Sequence, residues 1–393
     1  MLECELDMER LAKIIHRPIT VSKTRSYGMK KTVYILGAGC SVGKPPIGPG
    51  YPLASEFISS LEQFEVKLDN KDDCRKLKKC VSDTVTLLKR EKAPTMDALA
   101  ARLGTRAHDF TNGLTTNDRL LTERQITDAK IATAALFMDL EQSAIETGLI
   151  RYHHFLTELF GNTTNWKEAS QNSDSSVLTF NYDRLFEIAF RTRFSTYAKT
   201  ACLYGKSLLN SGMDYQVGTE IDVAHKQFAF LKLHGSVGIH AREEGGFGTK
   251  IYPYQNGLPG DPIVISDKLF FDKTPVANPY GRIPEPLIVF PHEKPFVKGG
   301  TDTLLTFRNY IPRIWEEARR LVSEATEIWF IGYSFAPMDK ADVLDLLNSA
   351  KNCERILIQN TPESTEGICR ALQSKWLDPE KLKIRVERYP YPF

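Results

Sequence analysis

Four short apolar runs, each ending in small or polar residues, limit this chain of 393 residues to a narrow set of folds. Thr32-Val33-Tyr34-Ile35-Leu36 leads into Gly37-Ala38-Gly39-Cys40-Ser41, and Ser176-Val177-Leu178-Thr179-Phe180 into Asn181-Tyr182-Asp183. Phe228 to Leu233 leads into His234-Gly235-Ser236, and Glu327 to Ile331 into Gly332-Tyr333-Ser334-Phe335. Compact apolar runs without polar alternation read as parallel strands covered on both faces. Open α/β sheets bind their ligands where such strands give way to loops.

The rest of the chain agrees. In the last third, helical patterns (Pro312 to Ala325, Asp339 to Ala350, Glu363 to Trp376) alternate with strands (Glu327 to Ile331, Arg355 to Ile358, Leu382 to Val386). This alternation predicts an α/β fold with a doubly wound, Rossmann-like, mostly parallel sheet. Residues 1–31 read as an N-terminal extension and 32–393 as one domain. Within it, 70–170 carry helical patterns, among them Ile126 to Ile145 and Ile150 to Phe160 as separate runs, and no convincing strand, an insertion after the first strand-helix unit. Residues 194–300, rich in Gly, Pro and Tyr, predict long binding loops rather than a second packed domain.

A net charge of +2 gives no electrostatic case for direct nucleic-acid binding or a membrane surface. No apolar stretch approaches the ~18–20 residues that span a bilayer. The four acidic side chains among Met1 to Arg10 argue against a secretory signal. The seven cysteines include no C-x-x-C pair, so no metal is expected. Their odd, dispersed count fits reduced thiols and a cytoplasmic location.

Each candidate site residue has a plain structural reading and a functional one. Gly37, Ala38 and Gly39 make a tight turn, or let the backbone approach a phosphate at the start of a helix. Ser41 caps that turn or bonds the phosphate. The G-x-G-x-x-G spacing is missing, and no acidic residue ends a second strand about 20 residues on. Asn181 and Asp183 are helix caps, or Asn181 holds hydroxyls or an attacking water without adding charge. His234, between a buried strand and a glycine, is a core histidine or a base near neutral pH. Gly332 and Ser334 repeat the phosphate-binding pattern, and Asn360 ends the next strand as a polar contact for a sugar.

The motifs G-A-G-C-S, T-F-N-Y-D, L-H-G-S and G-Y-S, in this order, resemble the sirtuin-like family, specifically its bacterial antiphage-defence branch. The resemblance covers about 32 to 360. It implies NAD as substrate, Asn181 and His234 as catalytic residues, and Gly37, Ala38, Gly39, Ser41, Asp183, Gly332, Ser334 and Asn360 in the NAD pocket. The zinc ribbon and the G-I-P-D-F-R stretch of the protein-deacylating sirtuins are absent, which argues against acyl-lysine recognition.

The expected reaction is cleavage of the nicotinamide–ribose bond, through an oxocarbenium-like ribose, to nicotinamide and ADP-ribose or a cyclic form. An antiphage role by NAD depletion follows from the resemblance. The core and insertion occupy nearly the whole chain, so control is expected from homo-oligomerisation through the 70–170 helices and from a separate partner such as a ring-forming DNA-translocating ATPase. The alternatives are an NAD or ADP-ribose binding sensor without turnover, a deacylase or ADP-ribosyltransferase, and a hydride-transfer dehydrogenase.

Overall fold

A computed structural model of the chain describes residues 31–42, 51–52, 56–66, 71–109, 116–194, 228–240, 242–243, 249–250, 264–265, 286–290, 305–335, 339–375 and 385–389. The N-terminal extension, apart from Lys31, and much of 194–300 lie outside these residues. The body is a six-stranded sheet of β1 (Thr32–Leu36), β2 (Ser175–Thr179), β3 (Ala229–Lys232), β9 (Glu327–Ile331), β10 (Arg355–Gln359) and β11 (Arg385–Tyr389). Its order is β11-β10-β9-β1-β2-β3, and every neighbouring pair is parallel. Counted in chain order, this is the 3-2-1-4-5-6 arrangement of the doubly wound dinucleotide-binding folds, with the winding reversed between β1 and β9.

Helices cover both faces, which is why the strands read as unbroken apolar runs. Ile35, Val177, Leu178, Ile328, Phe330, Ile356 and Ile358 are fully buried. After the first strand come α1 (Phe57–Gln63), α2 (Lys71–Arg90), α3 (Met96–Asp109), α4 (Thr116–Phe160) and α5 (Trp166–Asn172). Next are α6 (Leu185–Phe194), α7 (Leu305–Glu324), α8 (Lys340–Asn348) and α9 (Pro362–Lys375). Two expectations need correction. The patterns at 126–145 and 150–160 belong to one helix, α4, of 45 residues. Helix α7 starts at Leu305, so Pro312 lies inside it rather than in its first turn.

Short antiparallel strands complete the fold: β4 (Gly235–His240), β5 (Arg242–Glu243), β6 (Thr249–Lys250), β7 (Val264–Ile265) and β8 (Pro286–Ile288). They pair as β7-β4-β8 and β5-β6. Two apolar clusters form. The larger joins the sheet, α6 to α9 and the last turns of α4. In it Phe186 stacks on Phe230 at 4.5 Å, and Trp166 packs edge-on against Phe190 at 4.8 Å. The second joins α1, α2, α3 and the middle of α4 to Val237, Ile288 and Phe290.

Two buried ion pairs stitch these layers. Arg184, just before α6, donates from Nε and Nη2 to the two carboxylate oxygens of Glu141 on α4, at 2.7 and 2.6 Å. Lys232, 1% exposed at the end of β3, lies 2.8 Å from Glu187 on α6 and donates to the carbonyl of Asp183. An unpaired charge in either position would be strongly destabilising, so each partner is required by the other. Among the described residues, no helix is long and apolar enough to cross a membrane.

Candidate active site

The strand register sets the site residues side by side. Leu36, Thr179, Ile331 and Gln359 form one row across β1, β2, β9 and β10, and Thr179 pairs with Lys232 on β3. Gly37, Gly332 and Asn360 stand one residue past that row. Asn181 and His234 each stand two past it, on adjacent strands. All therefore leave the carboxyl edge of the sheet, around the reversal between β1 and β9.

At the reversal the two glycine turns lie backbone to backbone. Gly37 N–H donates to Ile331 O at 3.0 Å, and Gly39 N–H to Gly332 O at 2.9 Å. A Cβ on Gly37 would fall 2.5 Å from Tyr333 Cα, and one on Gly39 2.8 Å from Gly332 Cα. Glycine is therefore required at these positions for contact within the protein itself. Cys40 reinforces the contact, its Sγ donating to Ile331 O at 3.0 Å. Burial pushes the Cys40 thiol up to about 12, so it stays protonated.

The glycine turn does not open an α-helix. Residues Ala38–Cys40 form a single 3-10 turn, and the next described helix, α1, begins at Phe57. The reason is the competing contact with β9, which takes the Gly37 and Gly39 amides, while Cys40, Ser41 and Val42 donate within the turn. The exposed Ala38 is left as the residue of this turn whose amide meets no acceptor among the described residues.

Asn181 is buried and held by that turn. Its Nδ2 donates to Gly37 O at 3.0 Å and to Ser41 Oγ at 3.3 Å. Ser41 Oγ lies 2.8 Å from the Tyr152 hydroxyl, and Arg151 Nη1 donates to Val42 O at 3.1 Å. Both come from the last turns of α4, so the helical segment forms part of the site. Burial holds Tyr152 well above the ordinary tyrosine range, leaving a neutral phenol.

His234 occupies the two-residue turn between β3 and β4 and is 3% exposed. Its ring meets Phe180 edge-on at 4.9 Å, and Phe180 stacks on Tyr333 at 4.7 Å. His234 Nε2 lies 3.1 Å from Asp339 Oδ1. The other expected residues divide. Ser334 is exposed at the rim. Asn360 is engaged at both ends of its amide, Nδ2 donating to Tyr333 O at 2.7 Å and Oδ1 accepting from Thr361 N at 2.9 Å. Asp183 Oδ1 accepts from Leu185 N at 3.0 Å, bridging into α6, and burial raises its carboxyl above the ordinary value. Asn360 thus braces the loop that carries the exposed Ser334, and Asp183 the turn that carries the buried Asn181.

Asp339, Tyr152 and Arg151 were not among the sequence candidates. Nothing local marks them: Asp339 reads as the start of a helix, and Tyr152 and Arg151 as residues of a distant helical segment. Among the described residues, no group of three or more His, Cys, Asp or Glu side chains is arranged to hold a metal.

An open parallel sheet of this order, with polar strand ends gathered at the reversal, defines the molecule as an α/β protein of the dinucleotide-binding class. A family model described as a SIR2-like domain matches residues 175–379, more than half of the chain, and the chain belongs to that family. The match opens at the first residue of β2, so it includes Asn181, His234, Gly332, Ser334 and Asn360 and leaves out β1 with its glycine turn. Membership implies use of NAD. No curated protein matches the chain.

Proposed function

We propose that the chain is an NAD glycohydrolase, which cleaves the nicotinamide–ribose bond to give nicotinamide and ADP-ribose. The observation that carries this reading is the equal height of Asn181 and His234 on adjacent strands, beside the sheet reversal. Nδ2 of Asn181 is committed to Gly37 and Ser41, so Oδ1 is the end that accepts from a ribose hydroxyl or a water. His234 takes the proton from that oxygen, the role for which imidazole is suited near neutral pH. The Ala38 amide and the exposed Ser334 contact the phosphates, on turns shaped by Gly37, Gly39, Gly332, Asp183 and Asn360. Nicotinamide leaves as a neutral molecule, so the enzyme needs no general acid at that step. Orientation and charge stabilisation carry the rate.

The likeness of the motif set to the antiphage branch supports a role as a defence effector that depletes NAD on activation. We propose a homo-oligomer, regulated by a partner such as a ring-forming DNA-translocating ATPase. A second reading, an NAD or ADP-ribose sensor without turnover, draws on the burial of His234 and the commitment of the Asn181 amide. One experiment separates the two: purified protein is incubated with NAD, with and without candidate partners, and free nicotinamide is measured. The glycohydrolase reading expects release that Asn181→Ala and His234→Ala each abolish. Tight NAD binding without release under any condition refutes it in favour of the sensor.

A further inference from the structure

We infer that Asp339 is the positioning residue for the His234 imidazole, an inference that rests on the glycohydrolase reading. Asp339 stands at the N-cap of α8, where an aspartate ordinarily accepts a hydrogen bond from an amide of the first turn. Its side chain makes no such capping bond. Oδ1 lies instead 3.1 Å from His234 Nε2, a charge–imidazole approach without hydrogen-bond alignment, and both side chains are buried. A residue type explained elsewhere by helix capping is here turned to an imidazole on another strand. The carboxylate thus stands at the positive dipole end of α8. Phe180 and Tyr182 flank the imidazole at ring distances of 4.9 and 6.1 Å, which restricts its rotation beside the carboxylate.

A neutral imidazole carries one N–H. The carboxylate facing Nε2 favours the tautomer protonated there and leaves Nδ1 to accept a proton. In the hydrolysis, water oxygen bonds to the ribose C1′ while the C1′–nicotinamide bond breaks, its electron pair going to the nicotinamide nitrogen. The proton lost by water passes to Nδ1. The resulting imidazolium lies beside the Asp339 carboxylate, and the proton then leaves to solvent. The balance is NAD and water to nicotinamide, ADP-ribose and one proton. Asp339 touches no substrate and keeps its charge throughout.

The test uses the full chain with Asp339→Ala and Asp339→Asn, with melting temperature confirming that each folds. Nicotinamide release should fall at least about tenfold in kcat for both variants, with KM for NAD changed by less than about threefold, because general-base assistance is lost and binding is not. A nitrogen-15 imidazole spectrum of histidine-labelled protein, with His234 assigned from a His234→Gln variant, supplies a readout independent of turnover. The wild type should show His234 protonated on Nε2, and Asp339→Ala should lose that preference. Unchanged kcat in both Asp339 variants, or an unchanged His234 tautomer in Asp339→Ala, overturns the inference. Absence of nicotinamide release from the wild type refutes the glycohydrolase reading instead, and the imidazole spectrum then still decides whether Asp339 sets the tautomer.

Discussion

Three glycines form a natural series for testing how tightly the site is built. Gly332 has φ +59°, and a Cβ there would lie 2.5 Å from Cys40 N and 2.7 Å from Gly39 C, both backbone atoms that no side-chain rotation can move. Gly161 has nearly the same backbone, φ +65°, with nothing within 4 Å of a Cβ. Gly367, exposed inside α9, has neither a positive φ nor a neighbour within 4 Å. The left-handed conformation costs an alanine ~1–2 kcal/mol. At Gly332 the enforced shift of the opposing turn adds an overpacking cost of ~1–3 kcal/mol. Gly332→Ala should therefore lose about 2–5 kcal/mol, Gly161→Ala about 1–2, and Gly367→Ala should gain up to about 1 by removing backbone freedom from the unfolded chain. Urea denaturation of the three variants beside the wild type measures these differences directly. A Gly332→Ala variant no less stable than Gly161→Ala would refute the claim that the β1 and β9 turns are in obligatory contact.

The buried pair of Arg184 and Glu141 predicts a loss of ~3–5 kcal/mol for Arg184→Met, which leaves Glu141 unpaired between α4 and α6. The double variant Arg184→Met, Glu141→Leu should recover much of it in the same denaturation assay; a double variant as unstable as the single would show that packing rather than charge is at stake. Cys40, with its thiol pushed up to about 12 by burial, should stay protonated and resist alkylation from pH 6 to pH 9 in the folded protein. Mass-spectrometric mapping should find the half-buried Cys74 modified well before Cys40; equal rates would contradict the closed contact with β9.

The parts of this molecule that could be read in advance are those whose cause is local. A buried parallel strand is apolar along its length, so β1 and β9 were legible to the residue, and β2, β3 and β10 nearly so. Helix limits were legible where capping and periodicity set them. They failed where packing overrides local preference: Glu146-Thr147-Gly148 interrupts the apolar pattern of α4, yet the core on both sides carries the helix through. The need for glycine at 37, 39 and 332 was visible, but its cause was not, because that cause is the opposite turn, some 290 residues away in sequence. Asn181 and His234 carry a local signal, a polar residue at the end of an apolar run. Tyr152 and Asp339 carry none, since partnership across the fold leaves no spacing in a single sequence.

Helix α4 finally bears on whether the helical segment and the sheet are separate units. Ile131, Ala132, Ala134, Ala135 and Leu136 belong to the cluster formed with α1, α2 and α3. Ala144, Tyr152, Phe155, Leu156 and Phe160 belong to the cluster of the sheet, and Phe137 and Leu140 pack against both. A continuous helix cannot melt on one side of that junction without exposing apolar side chains on the other, so the two clusters should unfold together. The chain contains its own probe: Trp166, Trp315 and Trp329 belong to the sheet side, so their fluorescence reports on it, while α2, α3 and α4 hold more than half of the described helical residues and so weigh most in the far-ultraviolet circular dichroism. Fluorescence and circular dichroism should give superimposable urea transitions. A dichroism loss that precedes the fluorescence change would mean that α2 and α3 melt independently, and that the contacts of Tyr152 and Arg151 with the glycine turn persist without the rest of the helical segment.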